Sequence, residues 1–138
     1  MKKIDLTISH DVIGVYHSLD FSDIRMRYQD EGTQYAFDVL DEKIEQGYFI
    51  KLASFRHLSD LQRQGDDDFK FHYSVKQAKN ILKFASICPN VDTGEPTELM
   101  DWQKFILAQM IGWRNEDGGK RYSRVIVSVS RGQGKTYM

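Results

Sequence analysis

Residues 130–136 (SRGQGKT) have the residue types and the spacing that a phosphate-binding loop requires. Two glycines let neighbouring backbone N–H groups converge on a polyphosphate, because no Cβ restricts their dihedral angles. Lys135 would bring an ammonium group to the β- and γ-phosphates, and the Thr136 hydroxyl would complete the coordination of Mg²⁺. The loop therefore predicts ATP binding by Gly132, Gln133, Gly134, Lys135 and Thr136, with Thr136 as the metal ligand.

One position departs from the usual pattern G-x-x-x-x-G-K-[ST], because Val129 stands where that pattern has a glycine. Arg131 is the candidate catalytic residue, since a guanidinium beside the γ-phosphate stabilises the charge that develops during hydrolysis. From spacing alone, an exposed loop arginine is an equally good interpretation of Arg131. A plain surface turn is the alternative for the whole loop.

The apolar run at 125–129 (VIVSV) favours the phosphate loop over the surface turn. A short β-branched run of this kind predicts a buried strand, over about 124–130, that leads directly into the loop. Upstream, the Gln103 amide offers one donor and one acceptor that match the edge of adenine, and Trp102 would wall the pocket. By periodicity alone, Trp102 is more often a core residue and Gln103 a solvated neighbour.

The rest of the chain is predicted to be mainly helical, from the helical spacing of its apolar residues. Helices are expected over residues 22–29, 33–46, 48–64 and 98–113, with a further one from a capping box at Ser74 to Pro89. Gly47 is the expected left-handed residue after the second helix, and Gly65 ends the third. The acidic run 66–68 and the segment 115–120 are predicted to be a loop and a turn.

Side chains of two predicted helices are assigned to a core by the same spacing. Those expected to face inward are Phe49, Leu52, Ala53, Leu58 and Leu61 over 48–64, and Leu99, Trp102, Ile106 and Met110 over 98–113. His57 is expected to pack beside Leu58, because the four histidines lack the spacing of metal ligands. Lys76, Lys79 and Lys83 recur at helical spacing, which favours a solvated helix face, with contact to phosphates as the alternative.

Composition excludes several classes of protein. The net charge of −1 gives no general argument for a polyanion partner, but residues 1–69 carry 8 basic and 14 acidic side chains, against 11 and 6 in residues 70–138. An anionic ligand is therefore expected in the second half. The single Cys88 excludes an intrachain disulfide, and no apolar run approaches the length that a bilayer requires. No secretory signal is recognisable, so we expect a cytoplasmic protein.

Several segments, in order along the chain, resemble the N-terminal part of the large terminase subunit of tailed bacteriophages. They are 35–40 (YAFDVL), 52–61 (LASFRHLSDL), 102–105 (WQKF), 112–113 (GW) and the loop 130–136. The resemblance covers roughly the last three-quarters of the sequence. It also accounts for Val129, since large terminases are similar in bearing a deviant phosphate loop with a basic residue where Arg131 stands.

The resemblance implies an ATP-driven motor that packages double-stranded viral DNA in the cytoplasm of the bacterial host. It implies ATP and Mg²⁺ as cofactors, a ring oligomer, a portal protein and a small terminase subunit as partners, and an α/β ATPase core followed by a nuclease domain. Lys135 and Thr136 would then contact the phosphates and Mg²⁺, Arg131 the γ-phosphate and Gln103 the adenine.

The 138 residues contain no apolar strand ending in an acidic pair after the loop, so the carboxylates needed for hydrolysis are missing. We expect a truncated N-terminal segment that is inactive and binds no nucleotide by itself. Its parts would be an unassigned segment 1–32, a helical region 33–113 and the start of the ATPase core at 114–138. Residues from about 121 onward would be disordered or pair with another copy, because a single strand is only marginally stable.

Two alternatives remain open. One is a non-catalytic helical module that binds a protein partner and retains the loop as a remnant. The other is a fragment of a different, helicase-like P-loop ATPase that shares only the glutamine and the loop.

Overall fold

The computed structural model describes residues 11–87, Gly94, 99–122 and Arg124. Six helices and one two-stranded sheet make up their regular structure, which confirms the mainly α class. Within these residues no helix has both the length and the apolar composition to cross a membrane. Apart from Arg124, the predicted strand over about 124–130 and the loop 130–136 lie outside the described residues. The chain divides between Lys70 and Phe71 into two compact units.

The first unit consists of four helices: α1 (Val12–His17), α2 (Ser22–Arg27), α3 (Glu31–Leu40) and α4 (Tyr48–Arg63). α3 packs along α4, and α1 and α2 pack against α4 as well. The core is aliphatic and aromatic, with buried Val12, Tyr16, Phe21, Ile24, Tyr35, Ala36, Phe37, Val39, Leu40, Phe55, Leu58 and Leu61. Removal of this apolar surface from water is the main force that holds the four helices together.

α3 ends at Leu40, so the predicted extension of this helix to residue 46 is wrong. Glu42, not Gly47, adopts the left-handed conformation, with a φ of 62°. The N–H of Lys43 donates to the carbonyl of Asp38 at 2.9 Å, which closes the helix end. Gly47 has a φ of −72° and instead begins α4 as its N-cap. The apolar spacing continues through Ile44, and it carries no information about the backbone hydrogen bonds that end the helix.

α4 confirms the helix predicted over 48–64, and Gly65, with a φ of 93°, follows its end as expected. Leu58 and Leu61 are buried, but the inward assignment of Phe49 is wrong because that side chain is 79% exposed. Apolar spacing identifies one face of a helix, but it does not tell which turns of that face a neighbouring helix covers.

The second unit is built from β1 (His72–Tyr73), α5 (Val75–Ile87), α6 (Asp101–Gly112) and β2 (Trp113–Arg114). β1 and β2 pair antiparallel, with Tyr73 opposite Trp113. Neither strand was predicted, since two residues are too few to show an alternating pattern. α5 begins as expected, because the Ser74 hydroxyl accepts from the N–H of Gln77 at 3.2 Å. Its buried stripe packs against α6.

The orientation of α6 differs from the prediction. Leu99, just before the helix, is buried as expected, but Trp102, Ile106 and Met110 are only half-buried. The residues of the helix with the least exposure are Gln103, Phe105, Leu107, Ala108 and Gly112. α6 is apolar on most of its circumference, so the spacing of apolar residues does not select one face.

Residues 115–120 form the predicted turn, and Gly118 takes a φ of 86° there. The N–H of Asn115 donates to the carbonyl of Gly119 at 2.8 Å, and the N–H of Arg121 donates to that of Trp113 at 3.1 Å. The Arg121 guanidinium lies 4.5 Å from the centre of the Phe71 ring. The expectation that residues from about 121 onward are disordered or pair with another copy stays a prediction, because Ser123 and the residues from 125 onward lie outside the described part.

Gly112 lies where the Tyr73 ring leaves no room for a larger residue. A Cβ at this position would be 2.6 Å from Cε1 of Tyr73. The carbonyl of Gly112 also accepts from the N–H of Ser74 at 2.8 Å. The end of α6 and the start of α5 are thus in direct contact.

We expect Gly112→Ala to lower the free energy of unfolding by about 1–3 kcal/mol, because the Tyr73 ring must move to admit the methyl group. Urea denaturation followed by far-UV circular dichroism measures the change. Gly47→Ala is the comparison without a clash, since a Cβ there meets nothing within 4 Å, and it should cost less than about 1 kcal/mol through a weaker N-cap of α4. Equal stability of Gly112→Ala and the original protein would show that the ring moves freely.

Candidate nucleotide-binding site

Two of the predicted site residues, Trp102 and Gln103, belong to the first turn of α6. The Gln103 side chain is 4% exposed, and its Oε1 accepts from the N–H of Met100 at 2.8 Å. This bond satisfies a backbone donor at the start of the helix. The prediction of a solvated neighbour is wrong for Gln103, and Trp102 is half-buried beside it.

The other predicted site residues lie outside the described residues. They are Arg131, Gly132, Gln133, Gly134, Lys135 and Thr136. An amide oxygen has two lone pairs, and the bond from Met100 uses one of them at Gln103. The geometry therefore assigns Gln103 a structural role at the start of α6, and its recognition of adenine stays a prediction.

A buried polar chain in the first unit has the residue types of a catalytic site. The Thr33 hydroxyl donates to Oδ1 of Asp30 at 2.8 Å and lies 2.9 Å from Nε2 of His57. A hydroxyl carries one proton, so Nε2 of His57 must donate to Thr33. Oδ2 of Asp30 also accepts from the N–H of Thr33 at 3.1 Å, which caps α3.

The direction of these hydrogen bonds does not suit catalysis. An activated hydroxyl donates its proton to an imidazole base, whereas Thr33 donates to Asp30 and accepts from His57. Asp30 and Thr33 are 0% exposed and His57 is 1% exposed, so a substrate does not reach them in this conformation. The hydrogen bonds among these three side chains connect the start of α3 to α4. These hydrogen bonds were not predicted, although Asp30 and Thr33 have the spacing of a helix cap.

We expect Thr33→Val to lower the free energy of unfolding by about 1–3 kcal/mol, because Asp30 and His57 both lose a buried partner. Thr33→Ser is the matched control, since it retains the hydroxyl and removes only a methyl group. Urea denaturation followed by circular dichroism compares the two variants. A loss as large in Thr33→Ser as in Thr33→Val would contradict a role for the hydroxyl.

A second polar cluster lines a cavity of about 220 Å³ in the first unit. The Tyr16 hydroxyl donates to Oδ1 of Asp41 at 2.7 Å, and Nη2 of Arg25 donates to Oδ2 at 2.9 Å. The Arg25 guanidinium lies 4.1 Å from the centre of the Phe37 ring. Both carboxylate oxygens of Asp41 thus accept hydrogen bonds within the cluster, so its opposite charges compensate each other.

Burial, together with the hydrogen bond to Asp41 and its negative charge, raises the pKa of Tyr16 to about 12. Burial opposes ionisation of Asp41 too, but the hydrogen bonds from Tyr16 and Arg25 outweigh it and lower the pKa of that carboxyl. Near neutral pH neither group exchanges a proton. The hydrogen bonds of the cluster therefore link α1, α2 and the end of α3.

The raised pKa of Tyr16 predicts a loss of stability at alkaline pH. Because the folded-state pKa of about 12 exceeds the ordinary value of 10.0, the contribution of the neutral phenol is complete below pH 10 and declines between pH 10 and 12. The difference in unfolding free energy between the original protein and Tyr16→Phe should be constant below pH 10 and shrink above it. A difference in unfolding free energy that stays constant up to pH 12 would contradict the raised pKa of Tyr16.

Comparison of the chain with protein-family models, with curated proteins and with solved structures finds no match in any of the three. Over the described residues, no three His, Cys, Asp or Glu side chains are grouped so that they could hold a metal ion. What the chain does must therefore be inferred from its own residues.

Proposed function

We propose that the chain is the N-terminal part of a terminase large subunit, the ATP-driven motor that packages viral DNA into capsids. The observation that carries the proposal is the loop at 130–136 (SRGQGKT), which directly follows the apolar run 125–129 (VIVSV). A surface turn needs no such run before it. A phosphate loop does, because a buried strand brings the loop to the edge of the sheet where the nucleotide binds.

Each residue of the loop has a distinct chemical task in this proposal. The backbone N–H groups around Gly132, Gln133 and Gly134 hold the phosphates. Lys135 neutralises the β- and γ-phosphates, and Thr136 coordinates Mg²⁺. Arg131 stabilises the charge that develops on the γ-phosphate. Hydrolysis depends further on carboxylates that the rest of the complete protein supplies, so the 138 residues alone are inactive.

At Gln103 the adenine-reading role stays a prediction of the proposal. The side chain is 4% exposed and its Oε1 accepts from the N–H of Met100, so a base would have to reach the amide group beside this helix cap. The mainly helical region that precedes the loop is the part that would contact the portal protein or the small terminase subunit.

The proposal predicts nucleotide binding by an extended version of the protein that includes the chain beyond Met138. Lys135→Ala should reduce its ATP turnover by about 10²-fold or more, because a charge at the transferred phosphate is lost. Gln103→Ala should reduce the preference for ATP over GTP by about tenfold. Lys120→Ala removes an exposed lysine outside the loop and is the control for both variants.

Three results would count against parts of this proposal. Full turnover in Lys135→Ala would remove that residue from the mechanism. Absence of nucleotide binding under saturating Mg-ATP would favour the helical module that binds a protein partner. A downstream sequence without the acidic residues of a nuclease would favour a helicase-like ATPase.

A further inference from the structure

The solvent face of α5 carries three lysines and no acidic residue. Lys76, Lys79 and Lys83 are all exposed, and the sequence of α5 contains neither Asp nor Glu. At 3.6 residues per turn, the three side chains lie within an arc of about 60° around the helix axis. We refer to these three lysines as the lysine face of α5.

The lysine face is fixed in place by the opposite side of the same helix. Ala78 and Leu82 are buried, and Leu82 belongs to an apolar cluster with Leu99 and Leu107. α5 therefore packs against α6 through that stripe and cannot rotate to turn its lysines inward. The packed helix therefore presents the three lysine side chains to solvent on one side, and their flexible stems let each ammonium group adjust its position.

None of the three lysines forms an ion pair with another residue of the described part of the chain. The acidic side chains described in the second unit are elsewhere, in the first turn of α6 (Asp101) and in the turn at 115–120 (Glu116 and Asp117). Like charges three and four residues apart on a helix repel each other. A helix face that serves only solubility usually mixes both signs, which reduces this repulsion.

We propose that the lysine face of α5 binds the phosphate backbone of a nucleic acid duplex. From Lys76 to Lys83 the helix rises about 10.5 Å, and a duplex carries one phosphate per about 1.7 Å of its axis. Each ammonium group can therefore reach its own phosphate along this length. Such contacts position a duplex without reading its sequence.

A membrane surface fits this helix less well than a duplex. A helix that lies in a membrane interface inserts its apolar stripe, and the stripe of α5 is already packed against α6. Two exposed apolar side chains, Phe84 and Ile87, lie near the end of the helix. Because a protein surface offers apolar contacts that a duplex backbone does not, an acidic protein is the competing partner. In the proposed motor the lysine face would contact the packaged DNA. The evidence for the lysine face comes from α5 alone, so this proposal does not depend on the phosphate loop.

Binding of the 138-residue chain to a labelled duplex of about 30 base pairs, measured by fluorescence anisotropy without nucleotide, tests the proposal. Three phosphate contacts contribute about 2.7 to the slope of log K against log salt, so the affinity falls about 40-fold between 50 and 200 mM salt. The triple variant Lys76→Ala/Lys79→Ala/Lys83→Ala should lose this contribution equally for unrelated duplex sequences. Alanine favours helix formation, so α5 should remain folded.

A second triple variant, Lys43→Ala/Lys120→Ala/Arg124→Ala, removes the same number of charges from exposed positions outside α5. It should change the slope by less than about one unit. An equal decrease of the salt slope in both triple variants would overturn the proposal, because net charge alone would then explain the binding. Failure of the original chain to bind a duplex at 50 mM salt would overturn it as well.

An acidic protein partner would give a different result. Poly-glutamate would then compete with the duplex at equal charge, and Phe84→Ala/Ile87→Ala would weaken binding as much as the lysine variant. That outcome would also overturn the proposal. Unchanged duplex binding by the lysine variant, together with Lys135-dependent ATP turnover in the extended protein, would remove this surface and leave the proposed motor intact.

Discussion

The second unit depends on the close approach of the Tyr73 ring to Gly112. β1 precedes α5 and β2 follows α6. Pairing of the two strands therefore brings the start of α5 and the end of α6 together. Only a residue without a side chain permits that approach, because a Cβ would overlap the ring. With the ends joined, α5 and α6 pack along their apolar sides. The direction of the lysine face and the position of Gln103 both follow from this packing.

Local signals predicted most of the helices, because a cap, a glycine stop and an apolar stripe are all contained within a few residues. α5 illustrates this: Ser74 caps it as expected, and Ala78 and Leu82 line its buried side. The sequence does not show which helix or strand packs against a given face of each helix. The burial of Gln103 and the exposure of Phe49 depend on which surfaces meet, and a two-residue strand exists only through its partner.

The candidate site shows the same limit for chemistry. In the first unit the structure brings a carboxylate, a hydroxyl and an imidazole into contact, which are the residue types of a catalytic site. The direction of proton donation and the burial of His57 then identify a structural connection between α3 and α4. For the loop at 130–136 the prediction of a nucleotide rests on residue types and their order alone. The apolar run 125–129 before the loop is what favours this prediction over a turn of similar composition.

Both tryptophans of the chain, Trp102 and Trp113, belong to the second unit. Trp113 is fully buried beside Tyr73, at 5.3 Å between ring centres. Its emission will therefore shift to longer wavelength when the second unit opens. The second unit thus carries an intrinsic optical label, so that its opening can be recorded without a dye.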